Sequence, residues 1–305
     1  MDTSKVKPEI FKAMQDKVNQ LLSEANKQSD VAEHLGVNSG VISLIKNDDF
    51  TKIGEETFEK VRKKLNVSKT LWRDAPIRNL TLAVTMAKQT QENSHMAGLI
   101  GETGWGKTSS LSRLAAKEKD IFYCLADSEM TKMIFLKEIC KALELQRYEG
   151  RDKNSLIKMI VKRLTQGDNP LLIIDDCGKL SDANVRIIQI LYDRSEHECG
   201  ILLAGMPNLM HGIEAKAVKD VKGFRELKRR IAYWEQLLPK SESDTKAVCE
   251  ANEVTDESAI HYFHRECKDF GSLRTMILNA QKAAVKYNQP ITAELLTKIH
   301  KNKIR

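Results

Sequence analysis

Residues 96–117 read MAGLIGETGWGKTSSLSRLAAK, and no other stretch constrains the fold of this chain as strongly. Five apolar residues, 96–100, predict a short buried strand. Gly101, Gly106, Lys107 and Thr108 then fit the spacing G-x-x-x-x-G-K-[ST] in full. Leu111, Leu114 and Ala115 recur at helical spacing behind it, so Ser109 opens an amphipathic helix. A glycine-rich turn between a buried strand and a helix lets successive backbone N–H groups converge on one anion, and the helix N-terminus adds its partial positive charge. The expected ligand is therefore a nucleoside triphosphate, cradled by Gly101, Glu102, Thr103, Gly104, Trp105, Gly106, Lys107, Thr108 and Ser109. Lys107 is expected at the β- and γ-phosphates and the Thr108 hydroxyl on Mg²⁺.

A strand of this kind needs neighbours. Residues 121–126, 171–174 and 200–204 are further apolar runs, and helical patterns near 131–145, 154–165 and 182–194 lie between them. Alternation of this sort predicts a mostly parallel sheet flanked by helices, an α/β core. The run LLIIDD at 171–176 would bring Asp175 out at the carboxyl edge of a central strand, beside the phosphate loop, where it can help to hold Mg²⁺. Asp176 stands where many ATPases carry a Glu that polarises the attacking water. Its shorter side chain predicts slow hydrolysis. After the last strand, Asn208 is the amide available to orient that water. FRELKRRIAYW at 224–234 holds four basic residues, one of which could reach a neighbouring subunit's γ-phosphate as an arginine finger. DFGSLRTMI at 269–277 carries Arg274 early on an amphipathic helix.

The flanks read as helical. Residues 8–70 show Ile10, Met14, Val18, Leu21 and Leu22 at helical spacing, then SDVAEHLGVNSGVISLIKN at 29–47. Here Ser29 is expected to cap a short helix through Val31, Ala32 and Leu35. Gly36 ends it, and a second helix from Asn38 or Ser39 turns Val41, Ile42 and Ile45 inward. The spacing fits a DNA-binding helix-turn-helix and also an ordinary αα-hairpin. The second helix would expose Asn38, Ser39, Ser43, Leu44 and Asn47, with Lys46 nearby, and no Arg placed for guanine. It therefore suits DNA backbone or a protein better than one tight sequence. The expected division is a helical domain at 1–70, a linker at 71–79, the α/β core at 80–238 and a small helical lid at 239–305, with SESD at 241–244 capping the lid's first helix.

Net charge is +7, which favours a polyanionic partner. No apolar run approaches the ~18 residues of a membrane span, and the first residues lack an apolar signal core. The six cysteines are scattered with no C-x-x-C pair. Together these predict a cytoplasmic chain with free thiols. His261, His264 and Cys267 have a spacing that a metal could use, but it is more readily that of core and surface residues.

The order of these motifs resembles the AAA+ ATPases of DNA transposition, the MuB-like group related to IstB and TnsC, over nearly the whole chain. DVAEHLGVNSGVISLIKND, GETGWGKT, LLIIDD, LLAGMPNL, FRELKRRIA and GSLRTMI carry the likeness. It implies ATP and Mg²⁺ as cofactors, Arg230 as the arginine finger and Arg274 as the lid arginine on the nucleotide. It also implies a homo-oligomeric helical filament or ring on double-stranded DNA. Arg147, Arg151, Lys153, Lys158, Lys162 and Arg163 would line its inner surface, with Lys46 contributing from the helical domain. The filament would mark target DNA and activate a DDE integrase-type transposase. Two departures stand out: Asp176 replaces Glu, and Met206 occupies the place of a polar sensor. A replication initiator or helicase loader, and a nucleotide-gated transcriptional regulator, are the competing readings.

Overall fold

Strands of five or six residues, apolar nearly throughout, make the centre of the larger part of the chain. In the computed structural model, which describes residues 8–24, 27–65, 67, 72–195 and 198–303, they are β1 (Met96–Ile100), β2 (Ile121–Leu125), β3 (Leu171–Asp175), β4 (Gly200–Gly205) and β5 (Ile231–Gln236). All pairings are parallel and the order is β2-β3-β4-β1-β5. Residues of β1, β3 and β4 are buried throughout, because helices cover both faces of a parallel sheet. Leu171 and Ile173 join Leu99 and Leu202 beneath α5 (Arg78–Glu92) and α6 (Lys107–Lys117). Leu172 and Ile174 face the other way. There they join Ile201 and Leu203 against α7 (Lys132–Ala142), α8 (Lys153–Leu164), α9 (Asp182–Arg194), α10 (Pro207–Val218) and α11 (Phe224–Arg230).

Strand β5 departs from the sequence reading, which took 224–234 for a basic segment only. The helix α11 stops at Arg230, and IAYWEQ pairs directly with β1. A glycine makes the pairing possible. A side chain at Gly98 would meet the Trp234 ring at 2.0 Å, so only a bare backbone lets the indole lie across β1. The remaining helices are α12 (Glu242–Ala251), α13 (Glu257–Glu266), α14 (Phe270–Tyr287) and α15 (Ala293–Lys303). As expected, Ser241 caps α12 in a reciprocal box with Asp244. The Asp244 carboxylate also takes two bonds from the Arg78 guanidinium, tying the start of α5 to α12.

The chain divides into two compact units, residues 1–74 and 75–305. In the first, α1 (Pro8–Glu24), α2 (Gln28–Leu35), α3 (Ser39–Lys46) and α4 (Glu55–Lys64) enclose Met14, Val18, Leu35, Ile42, Ile45 and Val61. Phe11, Phe50 and Phe58 stack beside them, with ring centroids 4.5 to 6.1 Å apart. Gly36 ends α2 at φ +67°, and the Asn38 side chain accepts from the Val41 N–H to open α3. Ser29 is not a cap. Helix α2 already begins at Gln28, whose amide reaches Ser39 O and Ser43 Oγ of α3, and the Ser29 hydroxyl donates to Asp30. Val41 and Leu44 are both half-buried, where the sequence put one inside and the other outside. Residues 68–70 at the end of the expected helical domain and residue 71 of the expected linker lie outside the described residues, and Arg78 and Asn79 already belong to α5.

Candidate functional site

The backbone leaves β1 at Gly101, whose N–H donates to Gly205 O at the end of β4. It then curls through Gly104 at φ +81° and Gly106 at φ +95°, where side chains are rarely tolerated, and enters α6 at Lys107. The first N–H groups of α6 have no acceptor within the helix and point into the loop. Lys107 is 7% exposed, and its Nζ caps the carbonyls of Gly101 at 2.6 Å and Glu102 at 3.0 Å. Burial lowers its pKa below the usual lysine range, while the Asp175, Asp176 and Glu102 carboxylates oppose that shift.

Asp175 ends β3 and is fully buried. Thr108 Oγ1 donates to its Oδ2 at 2.6 Å, Tyr123 Oη donates to the same oxygen at 2.8 Å, and the Asp176 N–H donates to Oδ1 at 2.9 Å. A buried carboxylate at the end of β3, with a hydroxyl and an ammonium at the start of α6, forms a set of groups that suits a triphosphate with a hard cation. Burial first, and then the Asp175 charge, push the Tyr123 phenol far above its normal range, so it remains a donor. The sequence reading had no role for Tyr123. Asp176 adopts φ +54° and pairs with Lys179 at 2.7 Å.

Two further elements close on the loop. Asn79, 2% exposed, donates to Trp105 O at 3.1 Å and Leu238 O at 2.8 Å, and accepts from the Leu238 N–H at 2.9 Å. It fastens the loop to the exit of β5. Helix α14 docks on the loop's other side: the Phe270 N–H donates to Gly104 O at 3.0 Å. Asp269 caps α14 and fills the space that a Gly104 side chain would need, 2.4 Å from it. Arg274, one turn on, lies near Arg113 of α6, whose guanidinium is lowered first by burial and then by that second positive charge.

Residues 90–212 match the AAA domain family. That stretch, under half of the chain, holds the phosphate loop and Asp175. The sheet and its helices also resemble the Aeropyrum pernix ORC2 protein, solved as ADPNP and ADP complexes. The TM-score is 0.57 at 14% identity, covering 77% of this chain and 71% of that one. Cdc6p from Pyrobaculum aerophilum gives a TM-score of 0.51 at 15% identity, covering 72% of this chain and 65% of that one. The chain therefore spans slightly less than two thirds of the length of that second protein. No curated protein sequence matches the chain. At such identities the likeness establishes the fold, an AAA+ core. A match to that family implies a nucleotide-hydrolysing ATPase.

The other expected residues fall at different distances from the phosphate loop. Met206 follows β4 directly, and its sulfur sits 3.7 Å from Thr103 Oγ1, so a thioether stands at the strand end beside the loop. Asn208 is exposed in the first turn of α10, and Glu102, Thr103 and Ser109 are exposed as well. Arg230 closes α11 just before β5. Ile231 pairs with Met96, at the opposite end of β1 from the loop. The Arg230 guanidinium pairs with Asp193 and donates to Glu226 O. Lys46, Arg147, Arg151, Lys153, Lys158 and Lys162 are exposed. Arg163 is committed elsewhere: it pairs with Asp120 at 3.1 Å and lies over the Phe122 ring. The His261, His264 and Cys267 side chains diverge. His261 pairs with Glu242, His264 Nδ1 meets Lys240 and Thr245, and Cys267 is buried. Among the described residues no group of three His, Cys, Asp or Glu is placed to hold a metal. The six cysteines are free and buried. No helix among the described residues is long and apolar enough to cross a membrane.

Proposed function

We propose that this AAA+ chain is an ATPase that binds double-stranded DNA largely without regard to sequence and assembles on it as a helical filament. In this reading it presents target DNA to a DDE integrase-type transposase, and ATP hydrolysis releases it. Lys107 and the first N–H groups of α6 hold the triphosphate. Thr108 and Asp175 are the residues that would hold Mg²⁺, which supplies charge neutralisation on the phosphates. Asp176 orients water, Asn208 assists it, and Arg274 reaches the nucleotide from the lid at 239–305. The helical domain at 1–70 adds a DNA or protein contact through a helix-turn-helix, joined to the core at 80–238 by the linker at 71–79.

The observation that carries this reading is the position of Arg230. Its neighbour Ile231 pairs with Met96 at the start of β1, whereas the phosphate loop follows the end of β1. A strand of five residues spans roughly 16 Å, so Arg230 lies a full strand length from its own phosphates. An arginine there serves a triphosphate only from a neighbouring subunit. ATP then bridges subunits, and a chain with few DNA contacts binds strongly by repetition. The likeness of the core to ORC2 and Cdc6p supports a second reading, a replication initiator or helicase loader, which uses the same ATP-bridged assembly with a helicase as partner.

Electron microscopy of the full chain on random-sequence duplex DNA tests the proposal. Regular filaments with ATP and none without it are expected. ATP-independent binding as isolated particles overturns it.

A further inference from the structure

We infer that Tyr123 is a positioning residue for the metal-holding carboxylate Asp175, locking it in the orientation that Mg²⁺-nucleotide binding requires. The inference rests on the proposed role of Thr108 and Asp175. It concerns a residue that no motif of the phosphate loop includes.

The carboxylate is buried at the end of β3, and its two oxygens have unequal surroundings. Oδ1 takes the Asp176 backbone N–H, which any residue at 176 would supply. Oδ2 takes two hydroxyls, from Thr108 at 2.6 Å and from Tyr123 at 2.8 Å. The Thr108 hydroxyl is the expected ligand of the cation. Its proton already points at Asp175, so its remaining lone pairs face away from that carboxylate. Thr108 sits on the loop side and follows the loop. Tyr123 belongs to the sheet. It lies on β2, paired with Ile173 two residues before Asp175 on β3, and its ring packs among the apolar residues beneath α6. A rigid phenol on a strand therefore fixes Oδ2 independently of the nucleotide. Without it, Oδ2 is held only by Thr108, which follows the loop, and the order that Asp175 loses has to be restored whenever the cation binds. Groups that hold a metal-binding carboxylate from behind change metal affinity by about 10- to 100-fold when removed.

The ring and the hydroxyl separate cleanly in Tyr123→Phe, which keeps the packing and deletes one hydrogen bond. The full chain is titrated with N-methylanthraniloyl-ATP, first in EDTA and then at fixed nucleotide with increasing Mg²⁺. Tyr123→Phe should bind the analogue in EDTA within about twofold of the parent, because Lys107 and the loop are untouched. Its half-saturating Mg²⁺ concentration should rise by about tenfold or more. An unchanged Mg²⁺ requirement overturns the assignment. So does an equal loss of affinity in EDTA, which would make the hydroxyl a general structural bond. A parent that binds the analogue with no dependence on Mg²⁺ overturns the reading of Thr108 and Asp175 on which this one rests. A parent that needs Mg²⁺, alongside a variant with the same need, removes Tyr123 alone.

Discussion

Lys107 shows how much of this site is local chemistry. Its ammonium is buried, depressed by that burial, and kept useful by the Asp175, Asp176 and Glu102 charges around it. Lys107→Ala should weaken ATP binding by about tenfold to a hundredfold, since a charge-assisted hydrogen bond contributes about 1.5–3 kcal/mol and each ~1.4 kcal/mol is a factor of ten. Isothermal calorimetry of the variant would show this, and parental affinity would remove Lys107 from the site. Asp176 calls for a different measurement. It is held by Lys179, an exposed pair that contributes little to stability. Asp176→Asn should keep ATP affinity while slowing phosphate release by about tenfold or more, as general-base groups commonly contribute about 10²–10⁴-fold. Steady-state phosphate release decides it. Lys107, Thr108 and Asp175 were legible because the spacing of one loop and the polarity step of one strand define them. Tyr123 was not, since it meets Asp175 only through the pairing of β2 with β3, 52 positions apart in sequence. The pairing of Arg163 with Asp120 was hidden for the same reason, because the fold brings the two together.

Among the elements, β1 to β4 were legible, the edge strand β2 included, and the other edge strand β5 was not. A buried parallel strand is a continuous apolar run bounded by polar residues, and 96–100, 171–174 and 200–204 fit that description. The run IAYWEQ mixes polar and aromatic residues and is only partly buried, because it lies at the edge of the sheet and follows three basic residues of α11. The docking of α14 on the phosphate loop was equally hidden, and it gives a prediction about two glycines of one motif. Both have positive φ. Only Gly104 has a neighbour in the way, with Asp269 at 2.4 Å, whereas the nearest atom to a Gly106 side chain, Ser110 Oγ, is 3.9 Å away. Gly106→Ala should therefore cost backbone strain alone, of order 1 kcal/mol. Gly104→Ala should add displacement of the α14 N-terminus and the loss of the Phe270-to-Gly104 hydrogen bond. In thermal unfolding without nucleotide, Gly104→Ala should melt several degrees below Gly106→Ala. Equal melting temperatures would mean that α14 does not rest on the loop in solution.

At the scale of the whole molecule, the order of parts was readable from motif order, while the assembly is not contained in one chain. Its clearest signature is electrostatic. If each subunit makes about two phosphate contacts, binding to random duplex DNA in ATP should fall by about tenfold between roughly 50 and 200 mM salt. A flat salt response measured by fluorescence anisotropy would favour a protein partner for the exposed cations. The decisive prediction concerns Arg230. Within its own subunit it pairs with Asp193, its side chain 23% exposed and that of Asp193 36%. A pair so open to solvent contributes about 0–1 kcal/mol. An arginine finger contributes ~10³-fold or more to the rate, about 4 kcal/mol, so in the transition state exchanging Asp193 for a neighbour's γ-phosphate is favourable. Arg230→Ala should leave ATP binding by a single subunit intact and remove most hydrolysis on DNA. Lys107→Ala lacks a working pocket and supplies a finger, while Arg230→Ala keeps the pocket and lacks the finger. Mixed on DNA, the two should recover part of the ATPase activity that neither shows alone, with a maximum at intermediate ratios. If no ratio restores activity while both variants melt like the parent, Arg230 serves Asp193 alone and the subunits are not bridged through ATP.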